Sequence, residues 1–191
     1  MHVCRSGIHY PVHMLAVWNV QYARWIIDDG EPEREVGENF PWPVLGFHSM
    51  EGMSSTTTRT QSVLEVDDYG YDVGAEVLHV SPTATVISFG LIAFGEPDSV
   101  PRGCKVGDYV VGRIRLSFLH YCDPSIPGKI RELMFHNWSV KRILADVVPH
   151  RFVDQSADRL IGGSKEAGYV QVKTTREKKV KSYILSCCIE K

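Results

Sequence analysis

The run His120-Tyr121-Cys122-Asp123 carries the residue types of nucleophilic catalysis. On an extended chain His120 and Cys122 project to the same side, so the imidazole can draw the proton from the thiol and leave a thiolate nucleophile. The following Pro124 turns the chain and favours exposure of the pair. Against this, free cysteine is frequently a small buried hydrophobe, and the sequence identifies no Asn or Asp to orient the base. His79 ends an alternating apolar run and reads as a hydrogen-bonded core histidine rather than a base. We expect no catalytic residue, and keep a thiol-dependent enzyme using Cys122 and His120 as an alternative.

Metal and nucleotide chemistry are weaker still. His2, Cys4, His9 and His13 supply ligand atoms, but Pro11 interrupts the helix turn that would bring His9 and His13 together. The acidic groups Asp28, Asp29, Glu31 and Glu33, and Asp67, Asp68 and Asp72, lack calcium-loop spacing. Gly162-Gly163-Ser164-Lys165 lacks the residue order with which backbone amides wrap a phosphate. We expect neither metal nor cofactor.

Basic and aromatic residues offer a third chemistry. Tyr109, Arg113 and Arg115 share one face of an extended segment, Lys141 and Arg142 are adjacent, and Arg176, Lys178, Lys179 and Lys181 crowd one basic tip. Small barrels bind single strands with aromatic platforms for bases and cations for phosphates, so these seven residues other than the 141–142 pair are the candidate ligand-binding set. Lys141 and Arg142, as neighbours on a strand, point to opposite faces and cannot join one patch. The plainer reading is a solvated strand face and a tip whose charge discourages edge pairing.

The elements that carry these residues are short strands. Segment 15–27 has both a helical stripe and strand-forming residues, and reads as a strand. An acidic turn, 28–38, is broken by Gly30 and Pro32 and precedes an aromatic strand over 40–47. Residues 49–62 have no periodicity and read as a mobile loop. Tyr71, Val73, Ala75 and Val77 alternate with Asp72, Gly74 and Glu76, and Ser81-Pro82-Thr83 turns the chain into a second strand over 84–94, apolar on both faces, with a bend at Gly90. A strand follows over 108–119, then a short helix over 129–135, a strand over 138–148, a polar loop over 149–167, and a closing hairpin of 169–173 with 181–189. Seven to nine short strands with one or two short helices make this a mainly β chain, an antiparallel, partly closed small barrel of the OB or SH3 type.

Length, 191 residues, suits one domain, here residues 14–191, preceded by a His-rich, patternless arm at 1–13. Such a chain buries roughly 70% of its extended surface and needs no staples. Hydrophobic residues at 43% and charged residues at 23% exclude wholesale disorder. The net charge of −2 divides unevenly: residues 1–100 carry four basic and fourteen acidic side chains, and residues 101–191 seventeen and nine. A globally basic coat is excluded, while a two-sided surface suits a protein partner or self-association. Five cysteines, with Cys187 and Cys188 facing opposite ways on a strand, point to reduced thiols. With no signal peptide or long apolar run, we expect a cytoplasmic protein that does not enter a membrane.

The run VGDYVVGRI, residues 106–114, resembles the entry strand of S1-like oligonucleotide-binding barrels, which implies a barrel. More of the chain, including AVWNVQYARWIIDDGEP, VGENFPWPVLGFHS, GAEVLHVSPTATVISFGLIA and SYILSCCIE, is similar to a group of uncharacterised bacterial cytosolic proteins. That resemblance implies a single domain from Met14 onward and brings no activity. The sequence therefore points to a non-enzymatic binding protein, most directly for a protein partner, with single-stranded nucleic acid as the competing ligand.

Overall fold

The computed structural model describes residues 17–41, 43–67, 69–146, 150–152, 160–162, 168–176 and 180–190. The arm at 1–13, Lys178, Lys179 and most of the polar loop lie outside them.

Five strands close into a barrel: β3 (Val44–Ser49), β6 (Gly70–Val80), β7 (Thr85–Ser88), β8 (Ile92–Gly95) and β9 (Tyr109–Leu119). The ring runs β3, β9, β6, β7, β8 and returns to β3, antiparallel throughout except where β3 meets β8 at Gly46 and Phe94. Alternation produces it as expected: Tyr71, Val73, Ala75 and Val77 on β6, and Val110, Ile114, Leu116 and Phe118 on β9, are all buried. Closure needs glycine at the parallel seam. A Cβ at Gly95 would lie 2.9 Å from the Phe47 ring and from its carbonyl oxygen, so only glycine lets β8 approach β3.

Beside the barrel, β1 (Trp18–Ala23) pairs with β14 (Ser182–Ile189), and β14 pairs with β10 (Asn137–Asp146). The outer edge of β10 carries β2 (Asn39–Pro41) and β13 (Tyr169–Val172). Within the barrel half, β4 (Ser54–Thr56) adds to β9 and β5 (Ser62–Glu65) to β6, while β11 (His150–Phe152) and β12 (Leu160–Gly162) form a separate pair. One core, from Trp18 and Tyr71 to Phe118 and Trp138, lies between barrel and sheet. A smaller one, Val44, Ala84, Val86, Phe94, Ile126 and Met134, sits under α2 (Gly128–Met134).

Six local expectations are corrected. The aromatic segment 40–47 is divided between β2 on β10 and β3 in the barrel, and the polar loop 149–167 carries β11 and β12. Segment 15–27 is a strand only to Ala23, where α1 (Arg24–Asp28) begins, so the mixed pattern reflected two elements in succession. Segment 84–94 is two strands: Gly90 takes φ +104° and folds β7 back on β8, and both faces are apolar because Val86 enters the small core and Ile87 the large one. Residues 49–62 are not wholly loop, since β4 is held by backbone pairing that needs no side-chain period. The closing hairpin is not one. β10 lies between β13 and β14, because β14 is buried along nearly its whole length and takes a central place.

Candidate functional site

Tyr109, Arg113 and Arg115 project from the outer face of β9 as the alternation requires, but each is already engaged. The β6–β9 register places Asp72 opposite Arg113 and Glu76 opposite Tyr109. Arg113 donates from Nε to Asp72 Oδ1 at 2.8 Å and from Nη2 to Oδ2 at 3.2 Å, a bidentate pair whose hydrogen bonds and charge raise the arginine pKa further. Tyr109 donates its hydroxyl to Glu76 at 3.4 Å, and the Arg115 guanidinium lies 4.4 Å over the Tyr69 ring. Arg113 and Tyr109 are thus cross-strand pairs with carboxylates, while Arg115 stacks on Tyr69 and its buried Nε has no hydrogen-bond partner.

The basic tip is drawn elsewhere. Arg176 bridges Glu33 at 3.1 Å and Glu35 at 2.8 Å, both in the acidic 28–38 turn. Backbone bonds stitch the same two segments, Val36 N–H to Lys173 O and Thr175 N–H to Arg34 O. Lys181 is exposed and its carbonyl accepts from Arg24 N–H. Arg176 thus ties the basic stretch to the acidic one and does not join the β9 residues.

Lys141 and Arg142 are also placed differently from the strand rule. Val140 pairs with Cys187 and Arg142 with Ser186, leaving Lys141 as the extra residue of a β-bulge. The bulge turns both cations to the exposed side. Arg142 reaches Ser186, which donates to Asn19, and Asn19 donates to Glu65, linking the sheet to β5 at the barrel's edge.

His120 and Cys122 do not form a nucleophile–base pair. The His120 ring meets Trp25 and Tyr121 edge to face, with centroids 5.5 and 5.4 Å away. Cys122 packs on the small core, and burial pushes its thiol up, away from the thiolate that attack requires. His79 differs from the hydrogen-bonded histidine expected: its Nε2 is buried without a partner, beyond the bulge in β6 between Val77 and His79.

What sequence reasoning missed lies beside His120. Tyr22, Ile26, Phe40, Pro41, Pro43, Phe118 and Leu119 wall a pocket of about 180 Å³, with Arg34, Glu31 and His120 supplying its polar groups. The acidic turn is not simply solvated. Its one arginine folds inward until the side chain is only 10% exposed, stacks 4.4 Å over Phe40, and is held by Glu38 at 2.8 Å and Glu31 at 3.5 Å. Arg34 Nε has no partner. Burial raises the Tyr22 pKa against the pull of Arg34, and its hydroxyl donates to Pro32 O. The two rings packed on His120, Trp25 and Tyr121, are 48% and 52% exposed. The sequence held a signal in Trp25, which a two-residue period cannot bury with both Tyr22 and Ile26, and in the lone arginine among acids.

Among the described residues no group of His, Cys, Asp or Glu is arranged to hold a metal ion, and no helix is long and apolar enough to cross a membrane. Compared with known proteins, the chain matches no family model, no curated protein and no solved structure.

Proposed function

We propose that this protein is a non-catalytic binding protein that docks a protein partner at the pocket framed by Trp25, His120 and Tyr121. The observation that carries the reading is a pair of large rings, Trp25 and Tyr121, each about half exposed and each packed edge to face on His120, which lines a pocket of mixed apolar and charged character. Tryptophan and tyrosine are the residues that most often dominate binding energy, and an anchor side chain from a partner fills such a pocket. Partner charge is set by Glu31, the less firmly held carboxylate of the pocket, which favours a segment bearing a donor or cation. We take the setting to be the cytosol, in keeping with Cys104, Cys122, Cys187 and Cys188, which are free among the described residues.

Single-stranded nucleic acid, bound on an OB-like barrel face, is the competing reading. It draws less support because Arg113 and Tyr109 are committed to Asp72 and Glu76, and Arg176 to Glu33 and Glu35. Self-association through opposite charges is weakened by the same internal pairing. Affinity purification from cells at low salt tests the proposal. A stoichiometric protein partner is expected, and recovery of nucleic acid alone, or of nothing, contradicts it.

A further inference from the structure

We propose that Cys188 and Lys141 form an oxidation-sensitive pair that closes, under a peroxide, into a covalent link between β10 and β14.

The placement begins with the bulge. Because Lys141 is the extra residue between the Val140–Cys187 and Arg142–Ser186 pairs, its side chain swings over the outward face of the ladder where Ser139 pairs with Cys188. There the ammonium donates to Ser139 Oγ at 2.8 Å and to Glu190 Oε1 at 3.4 Å, the same oxygen that the Cys188 thiol meets. Cys188 in turn donates its thiol to Glu190 at 3.7 Å. Lys141 remains 48% exposed at its side chain and Cys188 is half-buried, so a small oxidant reaches the sulfur.

The other described thiols lack this setting. Cys187 faces the core and is fully buried, which prevents it from resolving an oxidised neighbour. Cys122 packs on the small core, and Cys104 packs on the large one and meets the Ser55 hydroxyl. The thiolate is the form of a cysteine that attacks peroxide.

The chemistry balances with hydrogen peroxide as oxidant. The Cys188 thiolate attacks one peroxide oxygen, forming S–O as O–O breaks and hydroxide leaves, and that hydroxide takes a proton from the Lys141 ammonium. The freed amine attacks the sulfenic sulfur, forming S–N as S–O breaks, and the departing oxygen carries away a proton from nitrogen as water. Thiolate, ammonium and peroxide give the sulfenamide and two waters, with sulfur oxidised by two electrons. A sulfenic acid captured by a nitrogen nucleophile is a reversible state that thiols reduce.

Peptide mapping by mass spectrometry after treatment of the full-length protein with hydrogen peroxide tests this. The expected product joins the peptides containing Lys141 and Cys188, is lighter by two hydrogens, and disappears on adding dithiothreitol. Lys141→Arg keeps the charge and removes the nucleophile, so it should abolish the link and leave a Cys188 sulfenic acid that dimedone traps. Equal dimedone trapping in both proteins with no link, or faster oxidation of Cys104 or Cys122 than of Cys188, overturns the proposal.

Discussion

Arg113 on β9 and Asp72 on β6 face each other across the barrel wall and meet through two hydrogen bonds, at 2.8 and 3.2 Å. The pair spends the central cation of the only aromatic and basic strand face that the sequence advertises. Arg113→Glu should therefore leave oligonucleotide binding unchanged in a low-salt mobility-shift assay, whereas Asp72→Asn, which frees the guanidinium, should raise it. Their side chains are 41% and 44% exposed, so solvent screens the pair and neither change should move the unfolding midpoint much. Tight binding by the natural protein that Arg113→Glu abolishes would reverse the ranking of ligands.

Arg34 stands at the opposite limit. Its guanidinium is taken from water by Phe40 and compensated by Glu38 and Glu31, so its removal strands two carboxylates beside an apolar wall. Arg34→Ala should cost about 2–4 kcal/mol in urea unfolding. A loss below about 0.5 kcal/mol, the scale of an ordinary surface change, would show that the turn is not anchored in this way.

Tyr71 joins barrel and sheet through the backbone of Asn19, accepting from its N–H at 2.6 Å and donating to its carbonyl at 3.2 Å. Tyr71→Phe keeps the packing against Trp18 but leaves a buried amide unpaired, which should cost about 1–3 kcal/mol. Denaturant unfolding measures it directly, and a neutral outcome would mean the amide finds another partner.

These contacts also show where sequence patterns stop being informative. The β6 and β9 alternation is legible because one face of each is buried and the other wet, which is a direct consequence of the strand period. Lys141 and Arg142 are not, because a bulge is set by the pairing of β10 with β14 and leaves no local mark. Pairing of β10 with both β13 and β14 is equally hidden, since a turn between consecutive strands suggests a hairpin whether or not a third strand lies between them. Gly90 did mark a break, but whether it bends one strand or separates two depends on which core each flank enters. The pocket lay out of reach because its walls come from β1, α1, the acidic turn, β2 and the end of β9, whose convergence is a property of the closed fold.

His136 makes the stability of the fold depend on pH. Burial lowers its folded pKa below the ordinary 6.5, and its ring lies 5.9 Å from that of Trp138. The unfolded chain then binds the proton more readily, so this histidine's contribution is intact above about 6.5 and is lost as pH falls from there through the folded pKa. His136→Phe should flatten the decline in denaturation free energy that begins below that pH. An identical slope in the two proteins would place the sensitivity in other groups.

The central claim is that the Trp25 and Tyr121 rim docks a protein. Both side chains are half exposed, so the Trp25→Ala/Tyr121→Ala double variant should keep the thermal unfolding midpoint close to that of the natural protein. The most direct measurement is quantitative affinity capture from cells with the two proteins in parallel. A stoichiometric partner is expected with the natural protein, and at least a tenfold loss, about 1.4 kcal/mol, with the double variant. Equal recovery by both would contradict it.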